Sequence, residues 1–222
     1  MSEMVFRQVD VSNAEVDAVQ ARFAPLTEAV RELVAATILS NADDGVVAEA
    51  LAPVQEATAK LSASVETDHA GVNYNGDGRS WNWGNAGSGE RNAIAPPIEL
   101  MTNPDGSTYA DLVLGAPYEG PPGHVHGGVS ALLLDHLMGV TASQMSRPTF
   151  TGTLTLRYRN PLPLGPVRVE GRVAREEGRK VFVEASITGA SGIALEADGV
   201  FITPTWSPSL ASGLPGLEAA QD

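Results

Sequence analysis

The sequence predicts an α+β fold: an antiparallel sheet wrapped around one long central helix, preceded by an N-terminal helical extension. Three observations predict it. From Pro97 onward the elements read strand, strand, long helix, then four strands. The helix in that series, Gly127 to about Gln144, is apolar on most sides, which suits a buried position. The later strands follow one another through short turns, the pattern of consecutive hairpins in an antiparallel sheet.

The extension comes first. Residues 14 to 38 carry Val16, Val19, Phe23, Leu26, Val30 and Leu33 at three- and four-residue spacing, with Ser12-Asn13 ahead to cap a helix start. Pro25 is placed to kink or divide that helix. A second helix is expected from about Asp44 to Ser64, with Val47, Ala50, Leu51, Val54, Ala57 and Leu61 on one face. The two are expected to pair as an α-hairpin, covering the main body or gating its pocket and contributing no catalytic residue. Through residue 70 there are 12 acids and 4 bases, so the outer face is acidic.

Residues 71 to 92 are rich in Gly, Asn, Asp and Ser and hold Trp81 and Trp83. In an extended chain these two rings face the same way and could dock the segment onto the body or line a ligand site. The expected divisions are therefore an extension at 1–70, a linker at 71–96, a main domain at 97–204 and a tail at 205–222.

Within the main domain, Ile98–Thr102 and Thr108–Leu114 flank an Asn103-Pro104-Asp105-Gly106 turn and read as a hairpin. Gly115 to Gly123 is a Gly/Pro-rich loop. Thr151–Tyr158 alternates, with Leu154, Leu156 and Tyr158 on one face and Thr153, Thr155 and Arg157 on the other. Val167–Arg175, Val181–Ile187 and Leu195–Ile202 supply three more strands.

Composition narrows the function. The net charge of −13 argues against general nucleic-acid binding. The chain has no cysteine, which excludes disulfides, thiol nucleophiles and thiolate-held metals, and fits a cytoplasmic setting. No apolar run approaches the roughly 20 residues of a membrane span. Met1-Ser2-Glu3-Met4 has neither the basic start nor the apolar core of a secretory signal. Against this acidic background, Arg147, Arg157, Arg159, Arg168, Arg172, Arg175, Arg179 and Lys180 meet only Glu170, Glu176 and Glu177, a local charge of +5. Such a zone can attract a small anionic ligand, or it can be the ordinary charged outer face of strands.

The chemistry concentrates in Gly123-His124-Val125-His126-Gly127-Gly128 and the helix that follows, up to Asp135. Glycines at a helix start let a ligand approach the free backbone N–H groups, and the dipole there favours a developing oxyanion. A carboxylate in an apolar helix is costly unless it has a task or a partner. Together these groups equip a site for ester or thioester hydrolysis. Gly128 and Asp135 lie close to two turns apart, on one helix face but separated by a rise of about 10 Å. One carbonyl cannot meet both in a single chain. An antiparallel second copy of the helix would bring its acid to this helix start, so the sequence favours a two-chain site.

Pro122-Gly123-His124-Val125-His126-Gly127-Gly128, the acid nine residues after His126, and Thr151-Gly-Thr-Leu-Thr-Leu-Arg-Tyr-Arg-Asn-Pro-Leu-Pro-Leu164 resemble the hotdog-fold acyl-CoA thioesterases. Among these are the phenylacetate-pathway (PaaI-type) enzymes and the animal thioesterase superfamily members. Glu177-Gly178-Arg179-Lys180 also resembles the turn before their next strand. The likeness runs from about Pro97 to Pro204. It implies that the His126-Gly127-Gly128 turn polarises a thioester carbonyl, with Gly128 as donor, Gly127 close to substrate and His126 in the turn. It implies Asp135 of the partner subunit as general base or nucleophile and Thr151 as the hydroxyl that places water. It further implies coenzyme A phosphates held near Arg179 and Lys180, with Arg157 and Arg159 in the same basic zone. It implies an acyl-CoA substrate, no cofactor beyond that substrate's coenzyme A, and a homodimer that can pair into a homotetramer.

Three other readings compete. His124-Val125-His126 has the spacing of a cupin metal pair, yet of the four histidines none lies in the later strands. A hydratase on the same fold needs an Asp and a His about five residues apart, which Asp135-His136 does not provide. A non-catalytic acyl-CoA-binding regulatory module would have no need of Asp135. His124 is expected in a loop role and His136 in a structural one. An acyl pocket would be lined by Val129, Leu133, Leu137 and loop residues.

Overall fold

A computed structural model describes residues 6–65, 71–143 and 148–205. Arg147, Gln144, Met1–Met4 and the tail beyond residue 205 lie outside the described residues. The chain begins with β1 (Phe6–Gln8), α1 (Asn13–Leu39) and α2 (Asp44–Ser62). Next come β2 (Val72–Tyr74), β3 (Ser80–Trp81), β4 (Met101–Thr102), β5 (Thr108–Leu114) and a short 3-10 turn at Ala116–Tyr118. Then follow α3 (Gly127–Ser143), β6 (Phe150–Tyr158), β7 (Gly165–Glu177), β8 (Lys180–Gly189) and β9 (Gly192–Ile202).

Six of the strands form one antiparallel sheet in the order β4-β5-β7-β8-β9-β6. Strand alternation turns Ala110, Leu112, Val169, Val183, Ile187, Leu195 and Phe201 to one face. The α3 side chains Leu133, Leu134, Leu137 and Met138 bury completely against that face. The core is therefore the layer between helix and sheet. Deep in it, the hydroxyls of Thr108 and Thr141 satisfy each other, and Thr141 also donates to the Leu137 carbonyl at 2.7 Å. Leu133 and Leu137, which the sequence reading assigned to the wall of an acyl pocket, are fully buried in this core.

The β4–β5 hairpin forms with Gly106 at φ +82°, a left-handed turn position suited to glycine. Only Met101–Thr102 pair as β4, because the chain from Pro96-Pro97 to Leu100 leans Ile98 and Leu100 onto the core instead.

The extension departs further from expectation. Ser12 and Glu15 close a reciprocal capping box at the start of α1, as Ser12 was placed to do. Pro25 stays inside α1 without dividing it. The expected packing of an α-hairpin is absent: α2 is exposed along its whole length, and α1 buries only Val16 and Thr27. A three-stranded sheet that the sequence did not announce joins β1 in parallel to β2, and β2 in antiparallel to β3. It ties the chain start to the linker. Trp81 and Trp83 lie 6.1 Å apart, and the Arg91 guanidinium stacks 4.8 Å from Trp83 and 3.8 Å from Phe23 of α1. The tryptophans thus help dock the linker onto α1.

Candidate active site

The site begins in the loop that delivers the chain to α3. Gly123 sits at φ +72°, and the Glu119 carboxylate accepts its N–H at 2.5 Å. The Val125 N–H donates to the Leu162 carbonyl and the His126 N–H to the Tyr118 carbonyl. Gly120 is pressed so closely on His126 that a Cβ there would stand 2.7 Å from the His126 Cα. These contacts fix where the helix starts.

At that start the four leading N–H groups have no partner within the helix. Those of Val129 and Ser130 donate to the His126 carbonyl. The Gly128 N–H donates to His126 Nδ1 at 3.0 Å, so the imidazole acts as a cap and its Nε2 carries the ring proton. The Gly127 N–H makes no hydrogen bond among the described residues. The donor expected of Gly128 is therefore occupied within the chain, and Gly127 presents the free one. On its other side the Gly127 carbonyl accepts from the Tyr158 hydroxyl at 2.9 Å. Tyr158 was read as a strand residue only. Its position on the Leu154–Leu156 face was the available signal.

Two turns along α3, Asp135 is half-buried. It was expected in an apolar helix, and it stands beside β6, the last strand of the sheet among the described residues. Its Oδ1 accepts from the Thr151 hydroxyl at 2.7 Å. Thr151 thus holds the carboxylate itself. It reaches it through an irregularity of β6: Thr151 pairs with Phe201 and Thr153 with the adjacent Val200, so Gly152 is an extra residue. Regular alternation would put Thr151 on the outer face with Thr153 and Thr155. The bulge turns it to the helix side.

His136 is half-buried against the linker, where a Cβ on Gly87 would lie 2.9 Å from the ring. Burial lowers its pKa below the ordinary 6.5, and the neighbouring Asp135 opposes that by a smaller amount. Its expected structural role fits this packing. His124 Nδ1 lies 2.8 Å from the Pro122 carbonyl, consistent with a loop role.

The basic zone needs correction. Arg157 pairs with Asp198, and Arg159 Nε with Glu196 at 2.6 Å. Arg168 pairs with Asp111 and Glu170, Arg172 with Glu184, and Arg175 with Glu177. Strand pairing sets Arg157, Arg159, Arg168 and Arg172 beside acids of neighbouring strands, and Arg168 and Arg175 also meet Glu170 and Glu177 two residues along their own strand, so the local positive charge is largely neutralised. Arg179 and Lys180 make no ion pair among the described residues; Arg179 donates to the Thr203 carbonyl at 3.1 Å. Both are exposed at the β7–β8 turn. Lys180 and Phe150 flank Ile202 from either side, which puts the pair about 10 Å from the Thr151 end of β6. A cleft of about 500 Å³ lies on the opposite face of the sheet, lined by the paired Arg157, Arg172, Glu184 and Asp198, and contains none of the α3 groups.

Known proteins resemble this chain in sequence and fold. The model of the thioesterase superfamily matches residues 122–194, the span from the turn before α3 into β9. A crystal structure described as a thioesterase superfamily protein superposes with a TM-score of 0.71 at 31% identity, covering 81% of this chain and 90% of that one. The acyl-coenzyme A thioesterase THEM4 of Xenopus laevis is 41% identical over 90 residues, 39% of this chain and 40% of that protein. THEM4 of Bos taurus is 31% identical over 107 residues, 46% of this chain and 44% of that protein. The chain thus spans less than half the length of these curated relatives. With its sheet wrapped around α3 and near-complete overlap with a solved member, the chain belongs to the thioesterase superfamily and has the hotdog fold.

Proposed function

We propose that the chain hydrolyses acyl-CoA thioesters to a carboxylic acid and coenzyme A. One observation carries the reading: a carboxylate held by a hydroxyl, Asp135 by Thr151, on the helix whose first N–H, that of Gly127, has no partner among the described residues. The names of the THEM4 relatives supply the substrate class.

In the proposed reaction the thioester oxygen accepts from the Gly127 N–H at the positive end of α3. Asp135 takes a proton from water, and the resulting hydroxide forms a bond to the carbonyl carbon. The tetrahedral intermediate collapses, the C–S bond breaks, and the proton on Asp135 passes to the departing thiolate. Eight residues separate Gly127 from Asp135, a rise of about 12 Å, so the acid facing a given Gly127 is Asp135 of the partner subunit. The edge of β6, which pairs only with β9 among the described residues, supports this, because a second β6 can add to it in antiparallel and align the two helices oppositely. Arg179 and Lys180 are the proposed seats of the coenzyme phosphates, as the cations of the original basic zone that lack a carboxylate partner among the described residues. Among those residues, no helix is long and apolar enough to cross a membrane.

The test is thiol release from a panel of acyl-CoA chain lengths by the purified chain. Saturable release above the uncatalysed rate is expected. Tight binding of acyl-CoA without release would assign the fold here to a binding module.

A further inference from the structure

We infer that α1 and α2 form an interface with a second copy of this chain, an intermolecular helical bundle that buries the apolar stripes of both. One face of α1, from Val16 to Arg31, is anchored to its own chain. Val16 and Thr27 are buried, Arg91 stacks on Phe23, and Arg31 Nη2 lies 3.4 Å from the Ala95 carbonyl. Beside that face the stripe Leu26, Val30, Leu33 stays open and is joined by Val34, Ile38 and Leu39. On α2, Val46, Val47, Leu51, Val54 and Leu61 are equally open.

The connection at 40–43 is short enough for the two helices to fold back on each other, yet no residue of α2 is buried. Most helical stability in proteins comes from packing an apolar face, and α2 buries none of its residues, so that face calls for a cover from outside the described chain. Eleven aliphatic side chains at 38–72% exposure present on the order of 1000 Å² per copy, against the about 800 Å² per partner that a stable association buries. Charge narrows the occupant. Residues 13–62 hold eight acids and three bases, which disfavours anionic lipid and nucleic acid. Spacing then points to self-association. Leu26, Val30 and Leu33 repeat at four and three, as do Val47, Leu51 and Val54, so two chains supply four matching seams. None of these residues touches the Asp135–Thr151 pair.

The chain has no cysteine, so a single introduced thiol can form a disulfide only between chains. Val54 lies at the middle of α2, where two antiparallel copies cross. Under mild oxidation of the full chain at low micromolar concentration, Val54→Cys is expected to give a two-chain species on a non-reducing gel. Glu49→Cys, on the far side of the same helix, is expected to stay single, and adding Leu51→Asp to Val54→Cys should remove the cross-link. A Val54→Cys protein that stays single-chain would overturn the inference, as would equal cross-linking of Val54→Cys and Glu49→Cys. Co-sedimentation with phosphatidylcholine vesicles that Leu51→Asp abolishes would give the face to lipid and overturn it as well.

Discussion

The Thr151 hydroxyl meets the Asp135 carboxylate at 2.7 Å because one extra residue, Gly152, turns Thr151 toward the helix. The bond fixes the acid's orientation at an open sheet edge, where solvent would otherwise let it swing. Thr151→Val removes the donor while keeping the shape. A hydrogen bond to a charged group is worth about 1.5–3 kcal/mol, so kcat should fall roughly 10- to 100-fold with little change in KM. Thr151→Ser should recover most of it. Steady-state kinetics of the three proteins checks this, and equal activity in Thr151→Val would remove Thr151 from the site.

The oxyanion donor can be tested by deleting a single N–H. Gly127 is the first residue of α3, a position where proline fits a helix. Gly127→Pro should cut thiol release by about 10²–10³ while circular dichroism stays unchanged. Tyr158→Phe, which loses only the bond to the Gly127 carbonyl, should have a much smaller effect. Full activity in Gly127→Pro would return the donor role to Gly128 after release from His126.

Arg179 and Lys180 are expected to serve binding more than chemistry. Arg179→Glu combined with Lys180→Glu should raise KM for acyl-CoA and spare small thioesters that lack the nucleotide. Inhibition by free coenzyme A should weaken as salt rises, because part of the attraction is screened charge. An equal loss on both kinds of substrate would mean that these residues support the β7–β8 turn instead.

His136 sets a pH dependence of stability. Its folded pKa is lowered, by burial first. The unfolded chain therefore binds more protons than the native one as the pH drops toward and below about 6.5. The contribution of a neutral His136 is fully present above that pH and is lost as the pH falls toward the lowered folded value. Thermal melts should show a smaller drop in Tm between pH 7.5 and pH 5.5 for His136→Phe than for the unaltered chain. An unchanged drop would show that other groups carry the acid sensitivity.

Much of this could be read from the sequence, because periodicity reports elements that pack on one face. The alternation in Val181–Ile187 and the apolar run of α3 placed the core, and the His126–Asp135 segment marked the candidate site. What escaped was set by neighbours distant in sequence. β1 and β2 have three residues each, too few to show alternation, and pair across more than sixty positions. The basic window ended at Lys180 and so missed Glu184, Glu196 and Asp198, the acids that strand pairing sets beside Arg172, Arg159 and Arg157. The bulge at Gly152 breaks the alternation, so the helix-side facing of Thr151 could not be read from it. The spacing on α2 did mark an apolar stripe, but a stripe does not name the surface that covers it.

The most direct measurement compares thiol release from acyl-CoA by the unaltered chain and by Asp135→Asn, with coenzyme A binding followed in parallel. The Asn side chain keeps the shape and the contact with Thr151 but cannot take a proton from water. The account predicts saturable turnover in the first protein, a loss of about 10² or more in kcat in the second, and coenzyme A binding retained in both. Turnover by folded Asp135→Asn near that of the unaltered chain would contradict it.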